Sequence, residues 1–224
     1  MPVLRRLVST VFARVARWRG ARAFHPRGTL FDARVALTDR ASATASALGG
    51  TGERRALVRL SKGAGTPGAL PDLLGVAVRT EVRGELLDVL FTSGGRHGPA
   101  RRLLAPSTGW GRRPYTTLLP YAAAGTRVVL GLEPDAAPQP ARPDPAAAPP
   151  AFTLTEQERG RPARPIGRLV LEAVRSGAPV AFDPVRNAHP LLRPASLRRL
   201  RAWAYTGSRR GRGADPGELD RRPG

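Results

Sequence analysis

The side chains best suited to acid–base or metal chemistry are few and widely spaced in this sequence. Its three histidines, His25, His97 and His189, have no second histidine or carboxylate at metal-ligand spacing on a shared predicted element. No cysteine is present, which excludes thiolate catalysis, Cys-ligated zinc and Cys-held iron–sulfur clusters. The G-x-S-x-G and H-E-x-x-H motifs are also missing. The sequence gives little support to a metal-dependent hydrolase, and we expect His97 and His189 to lie on the surface.

One glycine-rich segment has the spacing of a dinucleotide-binding turn. Gly63 to Gly68 fits G-x-G-x-x-G, and Asp88 follows twenty residues later. Such a site needs a helix that begins at the turn, because the helix amides hold the pyrophosphate. Pro67 and Pro71 interrupt the segment, and no crossover helix fits before the next strand. We therefore reject a Rossmann-type site.

The formal charge of +20 comes from 37 basic and 17 acidic residues. All but one of the basic residues are Arg, the exception being Lys62, and the chain also has 25 Gly and 23 Pro. These residue types have GC-rich codons, so much of the basicity reflects genome composition. A nucleic-acid module pairs a basic face with aromatics or a reading helix. Here the aromatics are scattered, and nucleic acid is not the partner we expect.

The first 22 residues predict a basic amphipathic helix. They carry six Arg and no acid, and their apolar residues recur at helical spacing. We expect the apolar face to pack on the domain; the alternative is docking on an anionic membrane surface. Arg interrupts the apolar run too often for a signal-peptide core or a transmembrane span. We expect a cytoplasmic protein, with peripheral membrane contact through this helix as the alternative.

Short alternating or β-branched runs, separated by Gly and Pro, follow from Thr29 onward. They predict strands at 30–38, 55–61, 75–80, 85–93 and 126–133. Arg83-Gly84 predicts a hairpin turn between two of these strands. Only short helices fit between the strands. An antiparallel meander or barrel is therefore favoured over βαβ units.

The C-terminal part of the chain begins with a Pro/Ala-rich insertion at 134–150, which has seven prolines and is expected to be disordered. Strands are then predicted at 151–155, 166–173 and 179–182. A helix is predicted at 194–205, begun by Pro194, and the tail 206–224 is expected to be disordered. The predicted fold class is α+β, with residues 23–205 forming one barrel domain between the N-terminal helix and the tail.

Several short motifs occur in a characteristic order along this domain. They are His25-Pro-Arg-Gly28 before the first strand, Val58-Arg59-Leu60-Ser61, Asp72-Leu-Leu-Gly75, Leu87-Asp88-Val, and Phe182-Asp183-Pro184 with Arg201-Ala-Trp-Ala-Tyr205. The order resembles that of the haem catalases and their small catalase-like relatives in bacteria. The resemblance implies an antiparallel catalase-like β-barrel with haem as its cofactor.

The resemblance also implies roles for individual residues. His25 matches the catalytic imidazole that accepts a proton from peroxide and delivers it to the departing oxygen. Tyr205 matches the tyrosinate that binds the iron. Arg201, four residues earlier, would lie on the same helix face and favour the charged phenolate. Arg59 matches the strand arginine that pairs with a haem propionate.

One departure from the catalase pattern concerns catalysis. Thr92 stands near the place where catalases have an asparagine that orients peroxide, and its hydroxyl could substitute only in part. The chain is also much shorter than a catalase. We therefore expect peroxidase or hydroperoxide chemistry, with peroxide or a small organic hydroperoxide as the substrate, rather than rapid peroxide dismutation.

Three alternatives remain open from the sequence. The first is a non-enzymatic basic protein that binds an anionic membrane or nucleic acid through residues 1–22 and 193–212. The second is a barrel that has kept its shape and lost haem. The third, a phosphodiesterase-type hydrolase, is remote because the metal-ligand cluster that such chemistry uses is missing.

Overall fold

The computed structural model describes residues 28–63, 65–95, 100, 103–135, 151–177 and 180–195. The predicted N-terminal helix and the tail lie outside the described residues, as do nearly all of the Pro/Ala-rich insertion and the predicted C-terminal helix beyond Ala195. The predictions made for those segments therefore stay predictions.

The described residues form ten strands, all paired antiparallel. In chain order they are β1 Gly28–Leu37, β2 Gly52–Lys62, β3 Leu74–Val82, β4 Glu85–Ser93, β5 Tyr115–Thr116, β6 Tyr121–Ala123, β7 Thr126–Pro134, β8 Ala151–Glu158, β9 Arg164–Arg175 and β10 Leu192–Pro194. The sheet order is β10-β6-β7-β5-β4-β3-β2-β1-β9-β8, and β8 also pairs with β7. This last pairing closes eight strands into a barrel, which β6 and β10 extend beside β7.

The two-residue period of the strands separates the barrel interior from its outer face. On β2, Ala56, Val58 and Leu60 belong to the buried core, so the residues between them face outward. Most inward positions of the other long strands are also apolar, and together they form one continuous core. Seven predicted strands overlap observed ones: 30–38, 55–61, 75–80, 85–93, 126–133, 151–155 and 166–173. The barrel prediction is confirmed.

The hairpin between β3 and β4 turns at the predicted residues. Arg83 and Gly84 both have positive φ, at 52° and 84°. This is the backbone of a type I′ turn, whose twist matches that of the flanking strands. Gly84 adopts it without steric cost.

The helical part of the predicted α+β class is not confirmed. Among the described residues the helix is α1, Ala43–Ala47, of five residues. Pro194 ends β10 by pairing with Tyr121, so it does not begin a helix there as predicted. No helix in the described ranges is long and apolar enough to cross a membrane.

A fully buried ion pair joins β3 and β4 on the outer side of the barrel. Arg79 donates from Nε and Nη2 to the two carboxylate oxygens of Asp88, each at 2.7 Å, and both side chains are completely buried. Arg79 also donates to the Ala181 carbonyl at 2.7 Å, and its guanidinium stacks over the Phe182 ring. The Asp183 amide donates to Asp88 Oδ2 at 2.7 Å. The pair thus holds residues 181–183 against the sheet.

These contacts explain why the strand predicted at 179–182 is wrong for residues 180–182. Backbone groups of Ala181 and Asp183 are satisfied by charged side chains rather than by a neighbouring strand. Val180 and Phe182 pack on Leu30 and Leu57 in a small apolar cluster outside the barrel. The apolar run is buried as expected, but in an irregular segment.

A second buried carboxylate fixes α1 to the barrel. Glu156 on β8 accepts hydrogen bonds from Ser42 Oγ at 3.0 Å and from the amide and hydroxyl of Thr44 at 2.8 and 2.6 Å. Arg164 Nη2 donates to it at 3.0 Å. Burial alone would raise the pKa of Glu156, but these hydrogen bonds outweigh it and lower the pKa below its ordinary value of 4.5.

Loss of the buried carboxylate at position 88 is expected to destabilise the fold strongly. Asp88→Ala leaves the Arg79 charge buried without its carboxylate, which typically costs about 3–5 kcal/mol of unfolding free energy. Urea unfolding measures the change. Glu53→Ala, which removes the carboxylate of an exposed ion pair with Arg34, is the control and should have little effect. If Asp88→Ala does not fold, Asp88→Asn, which keeps an acceptor oxygen for the contacts of Asp88, should fold with reduced stability. Equal effects of Asp88→Ala and Glu53→Ala would contradict the assignment.

The lowered pKa of Glu156 predicts that the free energy of unfolding decreases at acidic pH. A carboxyl whose pKa is lower in the folded state stabilises the fold fully above its ordinary pKa of 4.5. That contribution is lost as the pH falls through the folded pKa. It amounts to about 1.4 kcal/mol for each pKa unit of lowering.

The variant Glu156→Gln lacks this titration, so the stability difference between wild type and variant should shrink on acidification. Urea unfolding from neutral pH down to about pH 3 covers the window. Glu53→Gln is the matched exposed control. A difference between wild type and Glu156→Gln that stays constant over this range would refute the prediction.

Candidate ligand platform on the outer face of the barrel

Two neighbouring rows of side chains on β1 to β4 form a platform on the outer face of the barrel. The first row is Gly28, Ser61, Gly75 and Thr92, which are directly paired from strand to strand. The second row is Leu30, Arg59, Ala77 and Leu90, paired in the same way. At the usual strand spacing the platform is roughly 14 Å wide. We call these eight residues the outer platform.

Four residues of the outer platform, Gly28, Ser61, Gly75 and Ala77, have small side chains, whereas Leu30 is buried in the cluster with Val180 and Phe182. Gly28, Ser61, Gly75 and Ala77 are half-buried, and Leu90 is exposed. Large side chains surround this small-residue surface, because Arg59 covers Gly28 and Leu90 projects from β4, so the surface is continuous over Ser61, Gly75 and Ala77. A flat ring system could therefore approach the backbone closely at this place.

Arg59 supplies the charge of the outer platform, and Gly28 makes room for it. A Cβ atom placed on Gly28 would lie 2.5 Å from Arg59 Nε and 2.9 Å from Cζ. The guanidinium thus lies directly over the Gly28 backbone. Burial lowers the pKa of Arg59, because a charged group is less stable when water is removed from around it. Two residues from separate sequence motifs, Gly28 and Arg59, are therefore in direct contact.

The outer platform borders the glycine-rich turn that joins β2 to β3. Asp72, which is buried, accepts hydrogen bonds from the Thr66 amide at 2.9 Å and from its hydroxyl at 3.0 Å. Lys62 Nζ donates to the Thr66 and Gly68 carbonyls at 2.8 Å. Residues 65–73 thus form a turn without a helix, which hydrogen bonds from Lys62 and to Asp72 stabilise. It has no helix N-terminus to bind a pyrophosphate.

The structure places two of the five predicted site residues. Arg59 lies in the centre of the outer platform, and Thr92 lies buried at its edge, paired with Gly75 and with Thr116 on β5. His25, Arg201 and Tyr205 lie outside the described residues. The structure therefore brings Arg59 and Thr92 to one face of the sheet, and the predictions for the other three stay untested.

His189 differs from its prediction. It was expected on the surface, but it is buried, and its Nδ1 accepts a hydrogen bond from the Leu191 amide at 3.2 Å. The ring caps the turn before β10. The proline that follows His189 suggested exposure, whereas the turn that it begins folds back on the sheet. His97 lies outside the described residues.

The described residues fit a flat, largely apolar ligand that carries a carboxylate. Half of the outer platform consists of Gly, Ser and Ala, and Arg59 is its charged residue. The Arg59 guanidinium can pair with a carboxylate. This composition fits the face and a propionate of haem. Within the described ranges, no group of three or more His, Asp or Glu side chains is arranged to hold a metal ion.

Sequence reasoning missed the Arg79–Asp88 pair, which lies beside the outer platform on the same face of the sheet. Asp88 was noticed for its distance from the glycine-rich segment and as part of the Leu87-Asp88-Val motif, but not as a partner of Arg79. A signal was available: a carboxylate in the centre of an apolar strand and an arginine opposite it across a two-residue hairpin. Cross-strand pairing at Arg79 and Asp88 follows directly from the turn at Arg83-Gly84.

Comparison of the sequence with family models finds no match, and no curated protein matches it either. Solved structures do match. A fungal catalase superposes with a TM-score of 0.59 at 14% identity, covering 81% of this chain and 57% of its own. Catalase A from Saccharomyces cerevisiae gives a TM-score of 0.59 at 13% identity, with 83% and 60% coverage. A bacterial catalase gives 0.61 at 13% identity, with 89% and 59%.

The chain therefore spans less than two thirds of the length of each of these catalases. At such low identity the likeness concerns the fold. The barrel of this protein is a catalase-like barrel.

Proposed function

We propose that this protein is a haem-dependent, catalase-like oxidoreductase that acts as a peroxidase on hydrogen peroxide or a small organic hydroperoxide. The observation that carries the proposal is the contact of Arg59 with Gly28. This contact lies beside the small side chains of the outer platform. The two residues come from two motifs that resemble those of catalases, and the barrel that bears them is catalase-like.

Haem, when bound, supplies the redox chemistry on peroxide. The chain provides the surface and the proton transfers. The outer platform would pack against the ring, and the Arg59 guanidinium would pair with a propionate. Tyr205 is the proposed iron ligand, and Arg201, four residues earlier on the predicted helix, would favour its phenolate form. The His25 imidazole takes a proton from peroxide and returns it to the departing oxygen.

Thr92 favours peroxidase chemistry over rapid dismutation. A threonine hydroxyl donates one hydrogen bond, whereas an asparagine amide donates two. Thr92 is also buried at the edge of the outer platform, where β4 pairs with β5. Peroxide is therefore oriented less tightly than an amide would orient it. We therefore expect peroxide to be dismutated more slowly, which leaves time for an organic reductant to react.

Haem titration of the full chain is the direct test. We expect a Soret band on reconstitution, with a changed position or intensity in Tyr205→Phe. Tyr115→Phe is the control, because Tyr115 lies in the buried core and its hydroxyl donates to the Trp110 carbonyl at 2.8 Å, away from the outer platform. Absence of a Soret band, or a band unaltered by Tyr205→Phe, would refute the tyrosinate–haem proposal. The barrel would then be a haem-free module.

Arg59→Met should weaken haem binding about tenfold or more, as expected for the loss of a hydrogen bond between charged groups. Arg127→Met is the matched control. Arg127 is exposed on β7, and its substitution by Met removes the same charge. Equal haem affinity of the two variants would contradict the role of Arg59.

Gly28→Ala tests the contact between the two motifs. The new Cβ occupies the space of the Arg59 guanidinium, which must move away. Because the displaced group is a flexible side chain, we expect a stability change below about 1 kcal/mol but a loss of haem affinity similar to that of Arg59→Met. Gly28→Ala combined with Arg59→Met should lose no more affinity than either alone. Additive losses would show that Gly28 acts independently of Arg59.

A further inference from the structure

One surface turn of this highly charged protein carries no charge. Residues 63–71 contain no Asp, Glu, Lys or Arg, although 24% of the chain is charged. Within residues 65–71, which we call the apolar turn, every residue except Thr66 is exposed. Leu70 exposes 55% of its surface to solvent. Four of the exposed residues are apolar: Pro67, Ala69, Leu70 and Pro71.

Much of the polar backbone of the apolar turn is paired within the protein. Lys62 Nζ donates to two of its carbonyls, and Asp72 accepts from the Thr66 amide. The Leu70 amide donates to the Pro67 carbonyl at 3.4 Å, and the two prolines of the turn have no N–H. A polar group that is already hydrogen-bonded leaves water at a lower cost. The apolar turn can therefore enter a less polar medium and keep these hydrogen bonds.

A second exposed leucine lies at the same end of the barrel. Leu103, in the loop after β4, exposes 51% of its surface. The backbones of Asp72 and Ser107 exchange two hydrogen bonds, at 2.8 and 3.0 Å, which join this loop to the apolar turn. Leu70 and Leu103 are thus carried by two connected loops where β2 and β4 end and β3 begins.

The loop that contains Leu103 is basic. Residues 94–114 contain five Arg and no Asp or Glu. Of these arginines, Arg112 and Arg113 belong to the described residues, and both are partly exposed. Among the described residues, the two loops contribute one carboxylate, Asp72, which is buried, and the neighbouring strand β7 contributes Glu133. Basic groups therefore exceed acidic ones at this end, and such a surface attracts a polyanion.

We propose that this end of the barrel docks on an anionic lipid bilayer, with Leu70 and Leu103 in the interfacial region and Arg112 and Arg113 near the headgroups. Apolar side chains next to basic ones fit a bilayer surface, where hydrocarbon and negative charge lie a few ångströms apart. An acidic protein would match the charge, but not the uncharged and internally hydrogen-bonded turn. The docking does not depend on haem, and it uses residues other than 1–22.

Cosedimentation of the full chain with lipid vesicles tests the docking. Vesicles of phosphatidylcholine and phosphatidylglycerol should bind the protein, and vesicles of phosphatidylcholine alone should bind it at least about tenfold more weakly. Leu70→Ser combined with Leu103→Ser should weaken binding to the anionic vesicles at least about tenfold, because the apolar contact is lost.

Leu191→Ser is the control for this experiment. Leu191 is as exposed as Leu103, at 51%, but it lies beside β10, which pairs through β6 with the start of β7. Its substitution should leave vesicle binding unchanged. Absence of binding to anionic vesicles, or equal affinity of the wild type and the double leucine variant, would overturn the proposal.

A fluorescent label shows whether the apolar turn enters the bilayer. The chain has no cysteine, so Leu70→Cys provides a single site for an environment-sensitive fluorophore. With anionic vesicles its emission should shift to shorter wavelength and be quenched by a lipid that carries a quencher in its acyl chain. The same label on Leu191→Cys should not change. The proposal fails if the label at position 70 stays in water while the protein sediments with vesicles. It also fails if soluble polyglutamate causes the same shift, which would indicate an acidic protein partner.

Discussion

Closure of the sheet by the pairing of β7 with β8 is the constraint on which the rest of this structure depends. Once the sheet is a closed barrel, every long strand has one face inside and one outside, with a period of two residues. The inner face must be apolar over almost its whole length. Ligand chemistry is then limited to the outer face, or to the few places where a polar side chain has been kept inside. The outer platform is an example of the first case.

The outer face divides into two zones that lie next to each other on the same strands. On β3, Gly75 and Ala77 belong to the open zone, whereas Arg79 is completely buried beneath the segment at 181–183. On β4 the change occurs between Leu90 and Asp88. A shift of two residues along a strand thus moves from a ligand surface to a structural ion pair. This proximity explains why the motifs identified in the sequence include both residues of the outer platform, such as Arg59, and a residue of the structural ion pair, Asp88.

The sequence was sufficient to predict the barrel, because the alternation of the strands and the turn at Arg83-Gly84 are local signals. The order of the motifs also singled out Arg59, but it did not predict the contact of Arg59 with Gly28. It could not show that Asp88 is a structural residue or that residues 180–182 are irregular, because both depend on contacts about a hundred residues apart in the chain. The two- and three-residue strands β5, β6 and β10 are too short for a periodic pattern, and they form because longer neighbours pair with them.

The cluster around Asp88 has a consequence for the order of assembly. Arg79 and Asp88 are nine positions apart on one hairpin, so their pair forms from a local contact with a small entropic cost of closure. The Asp183 amide and the Asn187 side chain reach the same carboxylate from 95 and 99 positions away. The hairpin therefore presents a preorganised acceptor before the distant segment arrives. When that segment docks, the Asp183 amide and the Asn187 side chain bind a carboxylate that Arg79 already holds in place.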